Sequence, residues 1–100
     1  MAKTEQVIVE TPDVRVRVMQ LGPAEVGPWH SHSAVTDHIF GLTGGISIRL
    51  QNPAEEIVVG PGEHCTIAPA RVHRVSNLNR QRATYLLVQG VGKYDFNTLG

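Results

Sequence analysis

One hundred residues, with 41% apolar and 18% charged content, describe one globular domain over residues 1–100 and leave no room for a second. Nine basic and nine acidic residues give a formal charge of zero, with no Lys or Arg run able to track a phosphate backbone, so no nucleic-acid partner is expected. Apolar runs such as Tyr85 to Val88 are too short to span a bilayer, and residues 1–6 lack the apolar core of a signal peptide.

A single cysteine, Cys65, rules out an internal disulfide and fits a reducing cytoplasm without membrane contact. Cys65 itself reads as a small buried thiol rather than a nucleophile. Residues 6–9 read as a short strand stopped by Thr11-Pro12-Asp13. Val14, Val16 and Val18 then alternate with Arg15, Arg17 and Met19, the period-2 pattern of a half-buried strand, and Gly22-Pro23 punctuates it. Residues 36–43 supply Ile39, Phe40 and Leu42. Gly44-Gly45 follows as a tight turn into residues 46–50, and the pair predicts a hairpin.

Asn52-Pro53 marks another turn, and Ile57-Val58-Val59 ends at Gly60-Pro61-Gly62. Residues 64–67 and 72–76 are two further strands separated by Pro69. Residues 83–89 make a long apolar strand, and Gly90-Val91-Gly92 leads into a tail carrying Tyr94, Asp95 and Phe96, placed to cover either a barrel or an interface. No stretch carries a helical period. About eight short strands with regular Gly/Pro turns predict an all-β sandwich or small barrel, and closure would remove exposed edges.

His30 and His32 are two apart, so on a strand both imidazoles project to one face. Two imidazoles on one face can share a metal ion at ~2.0–2.1 Å each, although a surface strand can also carry two histidines by chance. Asp37 follows five positions after His32, and Gly44 seven after Asp37. Downstream, Gly62, His73 and Asn77 stand at separations of eleven and four.

This two-part pattern resembles the cupin superfamily. Its first motif runs His-x-His, three or four residues, Glu, six residues, Gly; its second runs Gly, five residues, Pro-x-Gly, two residues, His, three residues, Asn. The resemblance extends over nearly the whole chain. The sequence departs from it at four places: Ala24 stands for a Gly, Asp37 for the usual Glu, Pro69 comes one position late, and Ala70 replaces the inner Gly.

The resemblance implies an antiparallel double-stranded β-helix, the jelly-roll-like cupin barrel, with His30, His32 and His73 pointing inward as metal ligands. It puts Asp37 in the fourth ligand's place. Aspartate is one methylene shorter than glutamate, so direct ligation, ligation through water and orientation of a ligand imidazole all stay open. His38 would face the other way on an ideal strand, unless a bulge exchanged it with Asp37. His64, just after a Gly-Pro-Gly turn, reads as exposed or satisfied.

Trp29, Phe40, Leu42 and Ile48 read as core or pocket mouth. Tyr85, Leu87 and Gln89 share a strand face, and Phe40, Tyr85 and Gln89 form the candidate substrate pocket. Arg71 and Arg74 flank His73, suited to rim ion pairs or to an anionic substrate group. No residue stands out as a general acid or base, so catalytic residues stay unassigned.

Histidine-rich ligation with at most one carboxylate suits Fe, Mn, Ni, Cu or Zn better than Mg or Ca. The leading expectation is a metal-dependent enzyme, dioxygenase-like, acting on a small organic substrate. The alternatives are a non-catalytic module that holds a metal or small ligand for sensing or storage, and a barrel with a structural metal. The resemblance also implies a homodimer, for which Val7-Ile8-Val9 is the segment that would pair with the partner's sheet.

Overall fold

The computed structural model describes residues 4–99. Ten strands follow one another: β1 (Thr4–Glu10), β2 (Val14–Leu21), β3 (His30–Ser31), β4 (Thr36–Thr43), β5 (Ile46–Leu50), β6 (Glu55–Val59), β7 (His64–Ile67), β8 (His73–Ser76), β9 (Ala83–Gly90) and β10 (Asn97–Thr98). They pair antiparallel into two five-stranded sheets, ordered β1-β2-β9-β4-β7 and β10-β3-β8-β5-β6. From β2 onward the chain passes back and forth between the sheets, except at the β5–β6 hairpin, which is the winding of a double-stranded β-helix. Among the described residues there is no helix, and so none long and apolar enough to cross a membrane.

Period-2 alternation explains the core. Along β9, Ala83, Tyr85, Leu87 and Gln89 are buried while their neighbours are half-exposed. Leu21, Ile39, Ile46, Ile48, Ile67 and Val75 meet them from both sheets, each contributing roughly 1.5–3 kcal/mol by leaving water.

Two expectations need correction. The Gly44-Gly45 turn does not close a hairpin: β4 is hydrogen-bonded to β7 and β9, and β5 to β6 and β8. Both edges of β4 are therefore occupied, and the turn instead carries the chain from one sheet to the other. Gly44 sits at φ 69° with a would-be Cβ only 3.1 Å from the Ala83 methyl, so the crossing needs glycine. In β2 the expected period holds, and the face it buries is that of Arg17. Arg17, Met19 and Leu21 point inward, and Val14, Val16 and Val18 are only half-buried. Finally, Phe40 and Leu42 are exposed on the outer face of β4 and do not belong to the core.

The departures at Ala24 and Ala70 have a conformational consequence. Both residues lie in the left-handed region, at φ 57° and 68°, where the pattern has glycine and where a Cβ is strained. Replacing either by glycine removes that strain at the cost of some unfolded-chain entropy. Ala24→Gly and Ala70→Gly are each expected to raise unfolding stability by on the order of 0.5–1 kcal/mol, measured by urea denaturation. A loss of stability in both would contradict the assigned backbone conformation.

Candidate metal centre

His30 on β3 and His73 on β8 are direct cross-strand partners, so their rings leave the sheet side by side. His32 follows two residues after His30 and shares its inward face. Asp37 comes from the opposite sheet, where it faces Gln89 across the β4–β9 ladder. All four side chains are buried, and one ligand atom from each lies within 4.8 Å of the others. Ring centroids are 4.3 Å apart for His30–His73, 5.0 Å for His30–His32 and 5.5 Å for His32–His73.

Each imidazole is fixed through Nδ1. The acceptors are backbone carbonyls: Pro28 for His30 at 3.0 Å, Asp95 for His32 at 2.7 Å and Arg71 for His73 at 2.8 Å. A carbonyl oxygen can only accept, so Nδ1 carries a proton in every ring, and in the neutral imidazole Nε2 is left with its lone pair. The same arrangement orients histidine ligands around metal ions in general.

Asp37 completes the set. Its Oδ1 accepts from Gln89 Nε2 at 3.0 Å, and its Oδ2 lies 3.3 Å from His32 Nε2 and 3.2 Å from His73 Nε2. Burial opposes ionisation of Asp37, but the adjacent His32 and His73 imidazoles, in their protonated form, and the hydrogen bond from Gln89 outweigh it and hold the carboxyl well below the usual range. Burial likewise opposes charge on His32, and the adjacent Asp37 carboxylate overcomes it, raising the imidazole above its ordinary value.

These residues fit a cation. His73 Nε2 is buried with no hydrogen-bond partner among the described residues, while its own Nδ1 is committed to Arg71. A lone pair facing a carboxylate oxygen at 3.2 Å is repulsive unless a positive charge sits between them. A transition ion at ~2.1 Å from each ligand would hold ligand atoms at most about 4.2 Å apart, so the observed spread needs only sub-ångström adjustment.

The remaining candidate residues divide clearly. Tyr85 and Gln89 line the cavity beside the cluster, together with Arg17, Met19, Tyr94 and Phe96, and that cavity holds about 40 Å³. Phe40 does not line it: the ring lies outside and stacks on exposed His64 at 4.9 Å. His38 also faces outward, 3.5 Å from Thr66 Oγ1. The β4 irregularity falls between Gly41 and Thr43, too far along to exchange Asp37 and His38. Arg71 forms a rim ion pair with Glu55 at 2.9 Å, and Arg74 lies over Trp29. Cys65 is buried, and burial together with the Asp37 charge pushes its thiol up to about 11, which makes it inert at neutral pH.

Arg17 escaped the sequence reading, whereas the tail takes one of the two places the sequence offered it, over the barrel. Arg17 enters the cavity because β2 turns its Arg17, Met19 and Leu21 face inward. The tail forms β10 against β3 and crosses the site, with Phe96 stacked on His30 at 4.5 Å and Tyr94 5.4 Å from His32. The two-residue spacing of Tyr94 and Phe96 on an extended segment was the available signal. A chain ending at Lys93 loses the carbonyl that orients His32. Its metal affinity is expected to fall about 10–100-fold by competition with a chromogenic chelator, and unchanged affinity would show that the tail is mere cover.

The cupin domain family profile matches residues 17–89. No curated protein matches the chain in sequence. Among solved structures, an uncharacterized conserved protein with a double-stranded beta-helix domain from Klebsiella pneumoniae superposes with TM-score 0.85 at 20% identity, covering 98% of this chain and 84% of that one. An oxalate oxidase structure gives TM-score 0.82 at 19% identity over 98% of this chain, which spans only 54% of the oxidase. KdgF from a Halomonas species gives TM-score 0.75 at 14% identity, covering 91% and 80% of the two chains. At these identities the likeness is one of fold. With the family profile covering most of the sequence, the winding of the sheets and the buried three-histidine, one-aspartate cluster, this chain belongs to the cupin domain family.

Proposed function

We propose that the chain is a metal-dependent enzyme, an oxidoreductase of dioxygenase type that acts on a small organic substrate inside the barrel. The observation that carries this reading is the convergence of three oriented imidazole lone pairs and one carboxylate on a single buried point. When bound there, a divalent transition ion such as Fe, Mn, Ni, Cu or Zn supplies Lewis acidity and, in its redox-active members, reactivity toward dioxygen.

The chain's own residues do the rest. His30, His32, His73 and Asp37 hold the ion, and Gln89 holds the Asp37 carboxylate. Met19, Ile39, Val75 and Leu87 wall the cavity and exclude water. Burial keeps the Tyr85 phenol far above its ordinary pKa, so it faces the cavity as a hydroxyl donor, not a base. An oxalate oxidase shares this fold, which supports enzymatic chemistry in such a barrel without transferring its substrate. The small cavity under the tail favours the second reading, a non-catalytic holder of a metal or small ligand.

The protein is also proposed to be a homodimer joined through β1. That strand is the outer edge of its sheet, and Val7, Ile8 and Val9 are 50%, 53% and 45% exposed.

Protein purified without a histidine tag is expected to carry one transition ion per chain by elemental analysis, and His73→Ala to lose it. With Fe(II) added, oxygen uptake on a panel of small organic acids, diketones, catechols and thiols should exceed that of His73→Ala at least tenfold for one class. Stoichiometric metal with no uptake on any class would favour the non-catalytic reading. Light scattering should give a dimeric mass that Ile8→Lys reduces, and a monomeric wild type would refute the β1 interface.

A further inference from the structure

Arg17 is a charged side chain in a place where a purely structural barrel would have an apolar one. It lies on β2 in phase with Met19 and Leu21, is 7% exposed, and lines the same cavity as His30, His32, Asp37 and His73. Its nearest acid is not the buried one. Nη1 donates to Glu5 at 2.7 Å, and Glu5 is a largely solvated side chain on the edge strand. Nη2 donates to Gln89 Oε1, and Gln89 in turn donates through Nε2 to Asp37. Gln89 therefore keeps Arg17 and Asp37 one side chain apart, and the buried carboxylate does not neutralise the buried guanidinium.

The guanidinium is also not saturated. It carries five N–H donors in a planar fork, and its Nε is buried with no hydrogen-bond partner among the described residues. Asp37 and Arg17 cancel formally within the cavity lining and Glu5 pairs with Arg17 from the edge strand, so a divalent cation in the cluster still leaves the group with surplus positive charge. The missing partner is an anion, and the fork geometry matches a planar carboxylate. Size narrows it further. A cavity of about 40 Å³ admits only a small molecule, and its apolar walls give no hydration to a long polar chain.

Building on the metal-centre reading above, we infer that Arg17 is the specificity-determining residue of this cavity and that the molecule taken up is a short-chain carboxylate of about two to three carbons, its carboxylate on the Arg17 guanidinium. Gln89 acts as the positioning residue, presenting Arg17 on one side and Asp37 on the other. Tyr94 adds to the same electrostatic wall, with the Arg15 guanidinium 4.0 Å and that of Arg17 5.6 Å from its ring centre.

The test is calorimetric titration of acetate and glycolate into Zn(II)-loaded protein, with acetamide as the uncharged counterpart and metal content measured on each sample. The wild type is expected to bind the acids at least about tenfold tighter than acetamide; the metal ion also favours a carboxylate, so the share owed to Arg17 is read from its variants. Arg17→Gln should weaken acid binding by about tenfold or more while keeping one metal per chain, and Arg17→Lys should recover part of it. Equal affinity for acetate and acetamide overturns the inference without using any variant, as does an Arg17→Gln protein that binds acetate like the wild type. If the wild type takes up no metal, the metal-centre reading fails separately. Acetate binding to that metal-free chain, abolished by Arg17→Gln, would still support the Arg17 site, and no acetate binding would overturn it.

Discussion

Three backbone carbonyls, those of Pro28, Arg71 and Asp95, decide the chemistry of this molecule. By accepting from Nδ1 they fix the tautomer and the tilt of every buried histidine and commit all three Nε2 lone pairs to one point. A neutral imidazole buried at random would satisfy itself with whichever nitrogen is convenient. Here the strands leave no such choice, because each carbonyl is set by a loop or ladder that the fold requires. The Asp37 carboxylate, brought from the opposite sheet, then makes the point negative.

The support extends outward through side chains that never reach the cluster. Asn77 is fully buried and donates to the carbonyls of Gly22 at 3.0 Å and Gln81 at 2.7 Å, tying the loop after β2 to the loop after β8. Ala70 donates its backbone N–H to the His32 carbonyl at 2.6 Å, so a strained turn buttresses a ligand. The tail closes the other side through its aromatic rings. Gly62, at φ 80°, turns the chain into β7. The motif residues that carry no chemistry thus hold the ligand loops in register.

What the sequence made legible was local. Strand bounds at β4, β5 and β7 followed from Gly and Pro punctuation, and the His-x-His spacing placed two rings on one face because a strand alternates with period 2. Pairing was not legible. Gly44-Gly45 has the chemistry of a hairpin turn, yet which strands lie on either side of β4 depends on chain segments dozens of residues away. Which face of β2 turns inward was not legible for a similar reason: valines ordinarily take the inner face, but here the cavity takes Arg17 while Met19 and Leu21 fill the core. The tail was legible only as cover for either the barrel or an interface, because the contacts that decide between them, from β10 to β3 and from Phe96 to His30, span most of the chain.

The long separations have a kinetic meaning. His30 and His73 become neighbours only after the intervening strands have passed between both sheets, and His32 gains its orienting carbonyl only when the C-terminal segment docks. Closing such large loops costs entropy before any contact repays it. Partly folded chains therefore lack the complete ligand set, and an ion that selects the closed barrel acts as a thermodynamic clasp on the whole domain, adding about 2.7 kcal/mol of stability at a free concentration one hundred times its dissociation constant.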